Sequence, residues 1–185
     1  MNLNLTKMQG TGNDYIFANL LDVGDSEIFD EMNWSQMAIR LSDRHFGIGS
    51  DGLIFICPSD IADCRMRMFN ADGSEGAMCG NGIRCLGKYV YERSLIKKTV
   101  ICVETMAGIR TLYLDIENEN HVRFVSVDMG IPIILPTIEI NSFLLTPVSI
   151  GNPHVVYFVP NQPSEYPVEK WGPFLECHSR LKERS

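Results

Sequence analysis

One cysteine in this sequence has neighbours that suit it for chemistry. Cys79 stands before Gly-Asn-Gly and after a polar, glycine-rich run that begins at Asn70. Ile83, Leu86 and Val90 then recur at helical spacing, so Cys79 is expected at or just before the N-terminus of a helix. The free N–H groups and the positive end of the helix dipole favour a thiolate at that position. The pattern predicts a reactive thiolate in a loop that binds a polar ligand.

The other cysteines have plainer interpretations. Free cysteines are commonly small buried hydrophobes, and this is expected for Cys85, which lies among apolar residues of the predicted helix. The central stretch lacks the G-x-x-x-x-G-K-[ST] pattern of a phosphate-binding loop. The six cysteines and four histidines form no ligand-spaced cluster, so neither a zinc site nor a disulfide framework is expected.

The composition is that of an ordinary globular protein. The chain has 185 residues, of which 45% are hydrophobic, and this suffices for one ample domain or for one domain and part of another. Its net charge of -7 argues against a general surface for nucleic acid or an anionic membrane. The sequence contains no signal-like segment and no long apolar run, so we expect a cytoplasmic protein.

The elements that must position Cys79 are mostly strands. Arg65–Phe69 alternates polar and apolar residues and leads into the central stretch as a half-buried strand. Leu53–Cys57 is a continuous apolar run, which predicts a strand buried on both faces. Asn33 or Ser35 is expected to cap a helix whose apolar stripe faces the core.

Gly87 lies inside the predicted central helix, which runs from about residue 81 to residue 92. Glycine costs stability in an exposed helix interior. A closely packed neighbour that leaves no room for a side chain would explain its presence. We therefore predict a helix wrapped by a sheet, in a β-rich mixed α/β fold.

The remaining segments alternate strands and polar turns. Asn13 lies in a loop between two predicted strands, where its amide either hydrogen-bonds its own turn or faces a ligand. A hairpin is expected over residues 109–128. Two further strands follow over 144–150 and 154–159, and then a short helix over 168–177 that is stopped or entered at Gly172-Pro.

Five motifs occur in order and span nearly the whole chain. They are Lys7–Asp14, His45–Gly52, Phe69–Glu75, Met78–Cys85 and Ser149–His154. Together they resemble the diaminopimelate epimerase family. The related proline racemases place a histidine after the Cys-Gly pair, whereas this chain has Asn81 there, which favours the epimerase.

The resemblance implies a fold and an activity. The fold would be α/β (mixed α+β), with two similar lobes that each curl a mixed sheet around a central helix. An N-terminal lobe is expected over residues 1–125, and an incomplete start of a C-terminal lobe over residues 126–185. The activity would be cofactor-independent epimerisation of LL-2,6-diaminopimelate to meso-diaminopimelate by two cysteines, in lysine and peptidoglycan biosynthesis.

The resemblance also implies roles for individual residues. Cys79 would be one of the two catalytic cysteines, and His154 would lie near the catalytic centre. The residues that would bind the substrate are Asn13, Asn70, Gly80, Asn81 and Asn152. Without the resemblance, Asn152 reads equally well as a turn residue before Pro153, and His154 as a hydrogen-bonded histidine at the start of a strand.

The end of the chain departs from the family pattern. No glycine-rich loop or helix pattern follows Cys177, so we expect the second catalytic cysteine to be missing and the chain to be inactive unless another chain supplies it. An exposed sheet edge would favour association, for example as a homodimer. The alternatives are a non-catalytic fragment that binds an amino acid or a partner, and a protein of the same fold that acts on a different substrate.

Overall fold

The computed structural model describes residues 3–21, 33–151 and 153–182. They fall into two compact units, which divide between Met129 and Gly130. The first unit carries the glycine-rich stretches around Cys79, and the second carries the last two predicted strands and the last predicted helix.

An eight-stranded mixed sheet dominates the first unit. The strands follow one another across the sheet in the order β1-β2-β3-β4-β6-β7-β8, and a short β5 pairs with β4. Strands β2 and β3 are parallel, as are β4 and β6, whereas the other neighbours are antiparallel. The bounds are β1 Leu5–Gly10, β2 Asn13–Asn19, β3 Gly52–Cys57, β4 Cys64–Asn70, β5 Glu75–Gly76, β6 Val100–Thr105, β7 Gly108–Asn118 and β8 His121–Asp128.

The sheet curls around one helix, as the sequence predicted. The first unit has two described helices, α1 (Trp34–Ser42) and the central α2 (Gly80–Glu92). Helix α2 touches both ends of the strand order. On the β8 side, Lys88 Nζ donates to the Val122 carbonyl over 2.8 Å. On the β1 side, a Cβ built on Gly10 would lie 3.1 Å from the Asn81 carbonyl oxygen. Both outer strands therefore reach the same helix.

Gly87 is the point of closest approach between α2 and the sheet. A Cβ at this position would lie 2.7 Å from Leu112 Cδ2 and 3.4 Å from Val125 Cγ1. Glycine lets the helix settle onto β7 and β8, and the gain in packing offsets its low helix propensity. The expectation of a close-packed neighbour is confirmed.

On the opposite face of the sheet, α1 covers β2, β3 and β4. Asn33 caps this helix, because its side-chain oxygen accepts from the Gln36 N–H at 3.0 Å. Trp34 packs edge-on against Phe55, with ring centroids 4.3 Å apart. Every residue of β3 is buried, since α2 covers one face of this strand and α1 the other. The predicted strand with two buried faces is confirmed.

The described part of the second unit consists of a smaller sheet and three short helical segments. Its strands are β9 Ile133–Ile134, β10 Ile138–Ile140, β11 Phe143–Ser149 and β12 Pro153–Tyr157. They lie in the order β10-β11-β12, with β9 beside β11. A 3-10 turn (Pro163–Glu165) precedes helices α3 (Val168–Glu176) and α4 (Ser179–Lys182).

The core of the second unit combines buried aliphatic residues of its strands with a cluster of aromatic rings. The ring of Phe143 packs edge-on against Tyr157 at 5.3 Å and against Trp171 at 5.1 Å. Helix α3 runs through Pro173 to Glu176. The expected stop or start at Gly172-Pro was therefore wrong: Pro173 lies inside the helix, where it removes one backbone hydrogen bond while the flanking turns continue. No helix within the described ranges is long and apolar enough to cross a bilayer.

Candidate active site

Three strands of the first unit bring separate polar loops to one end of the sheet. Tyr15 of β2 lies beside Gly52 of β3, and Gly52 lies beside Asn70 of β4. Because β2 and β3 are parallel and β4 is antiparallel to β3, the starts of two strands adjoin the end of the third. The loops that carry Asn13 and Asn70 therefore open at the same end.

Cys79 caps helix α2 at that end. Its backbone is extended, with φ -127° and ψ 115°, and its Sγ accepts from the Gly82 N–H at 3.3 Å. Its carbonyl accepts from the Ile83 N–H at 2.9 Å. The side chain is half-buried. The predicted place at the start of the helix is confirmed, and the sulfur satisfies one of the N–H groups that a helix leaves unpaired there.

Tyr15 of strand β2 belongs to the core cluster against which Cys79 packs, and it is only 4% exposed. Burial raises the pKa of Tyr15, and the neighbouring Cys79 raises it further, so the hydroxyl stays protonated near neutral pH. Sequence reasoning missed this residue. The available signal was its spacing, because Asn13 and Tyr15 are two residues apart on a strand and so share one face.

Asn81 is held in place by Arg84, which sequence reasoning also missed. Arg84 donates to the Asn81 side-chain oxygen and, over 3.0 Å, to Thr11 Oγ1 in the loop between β1 and β2. Because the amide oxygen accepts from the guanidinium, the NH₂ group of Asn81 points elsewhere. Gly80 precedes it as the first residue of α2, and a Cβ there would come no closer than 3.9 Å to Met129 Cε.

Asn70 opens a tight polar turn at the end of β4. Its side-chain nitrogen donates to Ser74 Oγ at 3.0 Å, and its backbone N–H donates to the Ser74 carbonyl at 2.8 Å. Ser74 in turn donates to Asp72. Gly73 has a φ of 86°, a left-handed conformation that glycine adopts without strain. The turn therefore fixes the orientation of the Asn70 amide.

A cluster of charged side chains connects the loops next to Asn13. The Asp14 carboxylate accepts hydrogen bonds from the Arg44 guanidinium at 2.7 and 3.1 Å, and it forms a salt bridge with Lys7 at 3.0 Å. The hydrogen bond from Arg44 is the largest effect on this carboxyl, and it holds the pKa of Asp14 well below its usual range. Asp51 accepts from the Asp14 N–H at 3.0 Å and from Arg44 at 2.9 Å, and its carbonyl accepts from the Ala71 N–H at 3.0 Å. Three loops are thereby tied together.

The second unit holds the other expected residues. His154 lies on β12 opposite Val148 of β11, and it lines a cavity of about 490 Å³ together with Tyr157 and Leu175. Asn152 lies outside the described residues. The structure thus gathers Asn13, Asn70, Cys79, Gly80 and Asn81 at one end of the first unit.

The buried cysteines of the first unit differ from Cys79. Burial raises the pKa of Cys57 to about 11 and that of Cys64 to about 12. Burial also raises the pKa of Cys85. Within the described ranges, no three His, Cys, Asp or Glu side chains are grouped closely enough to hold a metal ion.

Comparisons with known proteins identify the family. The family model described as diaminopimelate epimerase matches residues 5–135. The diaminopimelate epimerase of Acetivibrio thermocellus is 47% identical in an alignment 201 positions long, which covers 98% of this chain and 68% of that protein. The diaminopimelate epimerase of Methanococcus maripaludis is 44% identical in an alignment 200 positions long, which covers 99% of this chain and 69% of that protein.

Solved structures show the same fold at lower identity. A Bacillus anthracis protein of the PhzF phenazine biosynthesis family aligns with a TM-score of 0.55 at 22% identity, over 84% of this chain and 53% of that one. A hydroxyproline epimerase from Agrobacterium vitis aligns with a TM-score of 0.62 at 17% identity, over 83% and 50% of the two chains. This chain spans about half the length of these structural neighbours. Its fold is the mixed α/β fold with a curled sheet that they share. On the family model and the sequence identities, the chain belongs to the diaminopimelate epimerase family.

Proposed function

We propose that this chain supplies Cys79 as one of two acid/base groups in the epimerisation of LL-2,6-diaminopimelate to meso-diaminopimelate. Membership of the family supports the reaction. The observation that carries the role of Cys79 is its half-buried sulfur, which caps α2 by accepting from the Gly82 N–H at 3.3 Å. The first N–H groups of a helix favour a negatively charged group beside them, and half-burial leaves the sulfur within reach of a substrate.

The chemistry needs one group on each face of the α-carbon. A thiolate removes the α-proton from one side, and a thiol returns a proton from the other, so that the two sulfurs exchange roles in each turnover. The negative charge that develops on the substrate carboxylate must be stabilised by aimed N–H groups, because the reaction is expected to use no cofactor. The first N–H groups of α2, at Gly80 and Asn81, have no acceptor within the helix and are available for this.

The remaining site residues are assigned by the same proposal. Asn13 and Asn70 would hold polar groups of the substrate, and so would Asn152. His154 would lie near the catalytic centre. The lobe that carries Cys79 would span residues 1–125, and residues 126–185 would belong to the second lobe.

The second acid/base group would come from beyond the described residues of the first unit. Cys57 and Cys64 are deeply buried and keep their protons at neutral pH. Cys85 lies in the core with a raised pKa. We further propose that the reaction is cytoplasmic and that a second copy of the chain is a candidate partner, as a homodimer.

Hydrogen exchange in heavy water tests the role of Cys79. LL-diaminopimelate is incubated in D₂O with the wild type, with Cys79→Ala and with Cys102→Ala, and deuterium at the α-carbon is followed by mass spectrometry. Cys102 is a matched control, because it is also half-buried and lies in the same unit. We expect exchange with the wild type and the control, because one acid/base group suffices to remove and return the α-proton on its own face, and a loss of at least about a hundredfold in Cys79→Ala.

Two results would count against the proposal. Exchange that persists in Cys79→Ala would remove this residue from the chemistry. Absence of exchange with all three proteins, accompanied by calorimetric binding of diaminopimelate, would favour the non-catalytic binding fragment instead.

A further inference from the structure

The guanidinium of Arg84 joins the start of helix α2 to the turn between β1 and β2. Its Nη2 atom donates to Thr11 Oγ1 over 3.0 Å and also to the side-chain oxygen of Asn81. Each NH₂ group of an arginine carries two hydrogens, so one nitrogen can serve both acceptors. Both acceptors are neutral oxygens, and these bonds therefore fix positions rather than neutralise a charge.

The turn that Arg84 contacts is strained at Thr11. Thr11 has a φ of 57° and Gly12 a φ of 92°, so both residues of this two-residue hairpin loop are left-handed. The first of these positions normally carries Asn, Asp or Gly, and a β-branched residue there is a steric outlier. Such a conformation persists only where surrounding contacts hold it. Two side chains supply them: Arg84 bonds to the Thr11 hydroxyl, and Gln9 Oε1 accepts from the Gly12 N–H at 3.1 Å.

The same guanidinium connects two of the candidate substrate-binding amides. Asn13 follows the turn directly and lies opposite Gly10 in the ladder of β1 and β2. Asn81 lies in the first turn of α2, and its amide oxygen accepts from Arg84. A Cβ built on Gly10 would lie 3.1 Å from the Asn81 carbonyl oxygen, so the end of β1 already lies against the helix. The place of the turn on α2 therefore decides the spacing of the two amides.

We propose that Arg84 is a positioning residue, which holds the strained Thr11 turn against the start of α2. The Asn13 and Asn81 side chains are thereby kept at a fixed spacing for one substrate. This inference rests on the proposed function and adds a residue that acts through others rather than by touching the substrate. Arginine suits the role, because its rigid planar fork loses little freedom for each hydrogen bond that it forms.

Amide hydrogen exchange of the free protein tests whether Arg84 holds the turn. Peptides that contain residues 10–13 are followed by mass spectrometry in the wild type, in Arg84→Met and in Thr11→Val, which has a similar shape but lacks the hydroxyl. We expect the turn to exchange about tenfold faster in both variants, because each loses a hydrogen bond from a charged donor. The double variant should exchange no faster than Arg84→Met, since both substitutions remove the same bond.

Thr11→Ser and Lys88→Met are the matched controls. Serine keeps the hydroxyl that accepts from Arg84, so Thr11→Ser should exchange like the wild type. Lys88 lies one turn further along α2 and lines the same cavity as Arg84, but it donates to Glu92 and to the Val122 carbonyl. Lys88→Met should therefore leave exchange at the turn unchanged. Unchanged exchange in Arg84→Met, or equally fast exchange in Thr11→Ser and Thr11→Val, would overturn the inference.

Calorimetric titration with diaminopimelate connects the turn to the substrate. We expect Arg84→Met and Thr11→Val each to raise the dissociation constant about tenfold, and Lys88→Met to bind like the wild type. Weaker binding in Arg84→Met alone would mean that the guanidinium contacts the substrate itself, and it would overturn the positioning role, as would unchanged binding in both. Absence of binding to the wild type would contradict the proposed function instead, while exchange in the free protein still decides whether Arg84 holds the turn.

Discussion

Two cysteines on one helix show how position along the same element decides chemistry. Cys79 caps α2, is half-buried and accepts a hydrogen bond from the Gly82 N–H. Cys85 lies in the interior of the same helix, is 6% exposed and packs in the core against the sheet. A Cβ built on Gly10 would lie only 3.3 Å from its sulfur.

The difference arises from the backbone. At the first residues of a helix the N–H groups lack internal acceptors, so a side chain there can accept from them. In the interior those groups are already bonded, and a thiol finds only apolar neighbours. The end of α2 is therefore suited to a thiolate, and its interior to a neutral thiol that fills space.

The contrast between the end and the interior of α2 should have its largest effect on stability, and two glycines of this helix test it. Gly87→Val would force a side chain into Leu112, with Cβ only 2.7 Å from its Cδ2, and should lower the free energy of unfolding by about 3 kcal/mol. A Cβ at Gly80 would lie 3.9 Å from its nearest non-adjacent neighbour, Met129 Cε, so Gly80→Ala should be neutral or slightly stabilising. Urea unfolding followed by circular dichroism measures both. Equal destabilisation of the two variants would contradict the contrast.

The next effect is on thiol reactivity. Under native conditions at pH 7.5, iodoacetamide should label Cys79 about a hundredfold faster than Cys85, because the Cys85 thiol is buried and its pKa is raised. Peptide mapping by mass spectrometry after short incubations gives both rates in one sample. Labelling in urea, where the two should react alike, is the control. Comparable native rates would mean that the helix interior does not protect its cysteine.

The smallest effect is an alkaline loss of stability caused by the buried thiols. Burial raises the pKa of Cys64 to about 12, above its value of about 8.5 in an unfolded chain. Because the unfolded chain releases this proton at a lower pH than the folded protein does, ionisation of Cys64 leaves the free energy of unfolding unchanged below about pH 8.5. The free energy of unfolding then falls as the pH rises towards 12. By pH 10 the loss should be about 2 kcal/mol, at 1.36 kcal/mol for each pH unit.

Cys64→Ala provides the comparison for this loss. It should be less stable than the wild type at pH 7, because it leaves a small cavity, but its stability should fall less steeply above pH 8.5. Urea unfolding at several pH values measures the slopes. Parallel slopes for the two proteins would show that Cys64 does not contribute to the alkaline loss.

Local features of the helix and its cysteines could be predicted from the sequence. Glycines on both sides of Cys79 and the apolar spacing after it located the start of α2. Gly87 indicated a wrapped helix, and the apolar run of β3 indicated burial on two faces. Each of these depends on residues close together in the chain, where period and propensity decide the structure.

Contacts between distant segments could not be predicted in the same way. The approach of Tyr15 to Cys79 depends on the curl of the sheet around α2, which brings β2 against the start of the helix. The bond from Arg84 to Thr11 joins residues 73 positions apart. The parallel pairing of β6 with β4 requires the chain to cross over between them, and that connection contains α2, which packs on one face of the sheet. Such pairings are set by the fold as a whole, and spacing within one strand shows only which side chains share a face.

The proposed role of Cys79 depends most on whether a substrate binds beside its sulfur at the end of α2. Protection of this thiol by diaminopimelate measures that directly and requires no turnover. We expect the rate of Cys79 alkylation to fall with increasing diaminopimelate and to reach a plateau, while the half-buried Cys102 labels at an unchanged rate. If Cys79 labels equally fast with and without diaminopimelate at all concentrations, the substrate does not bind at this end of the helix and the proposed role of Cys79 is wrong.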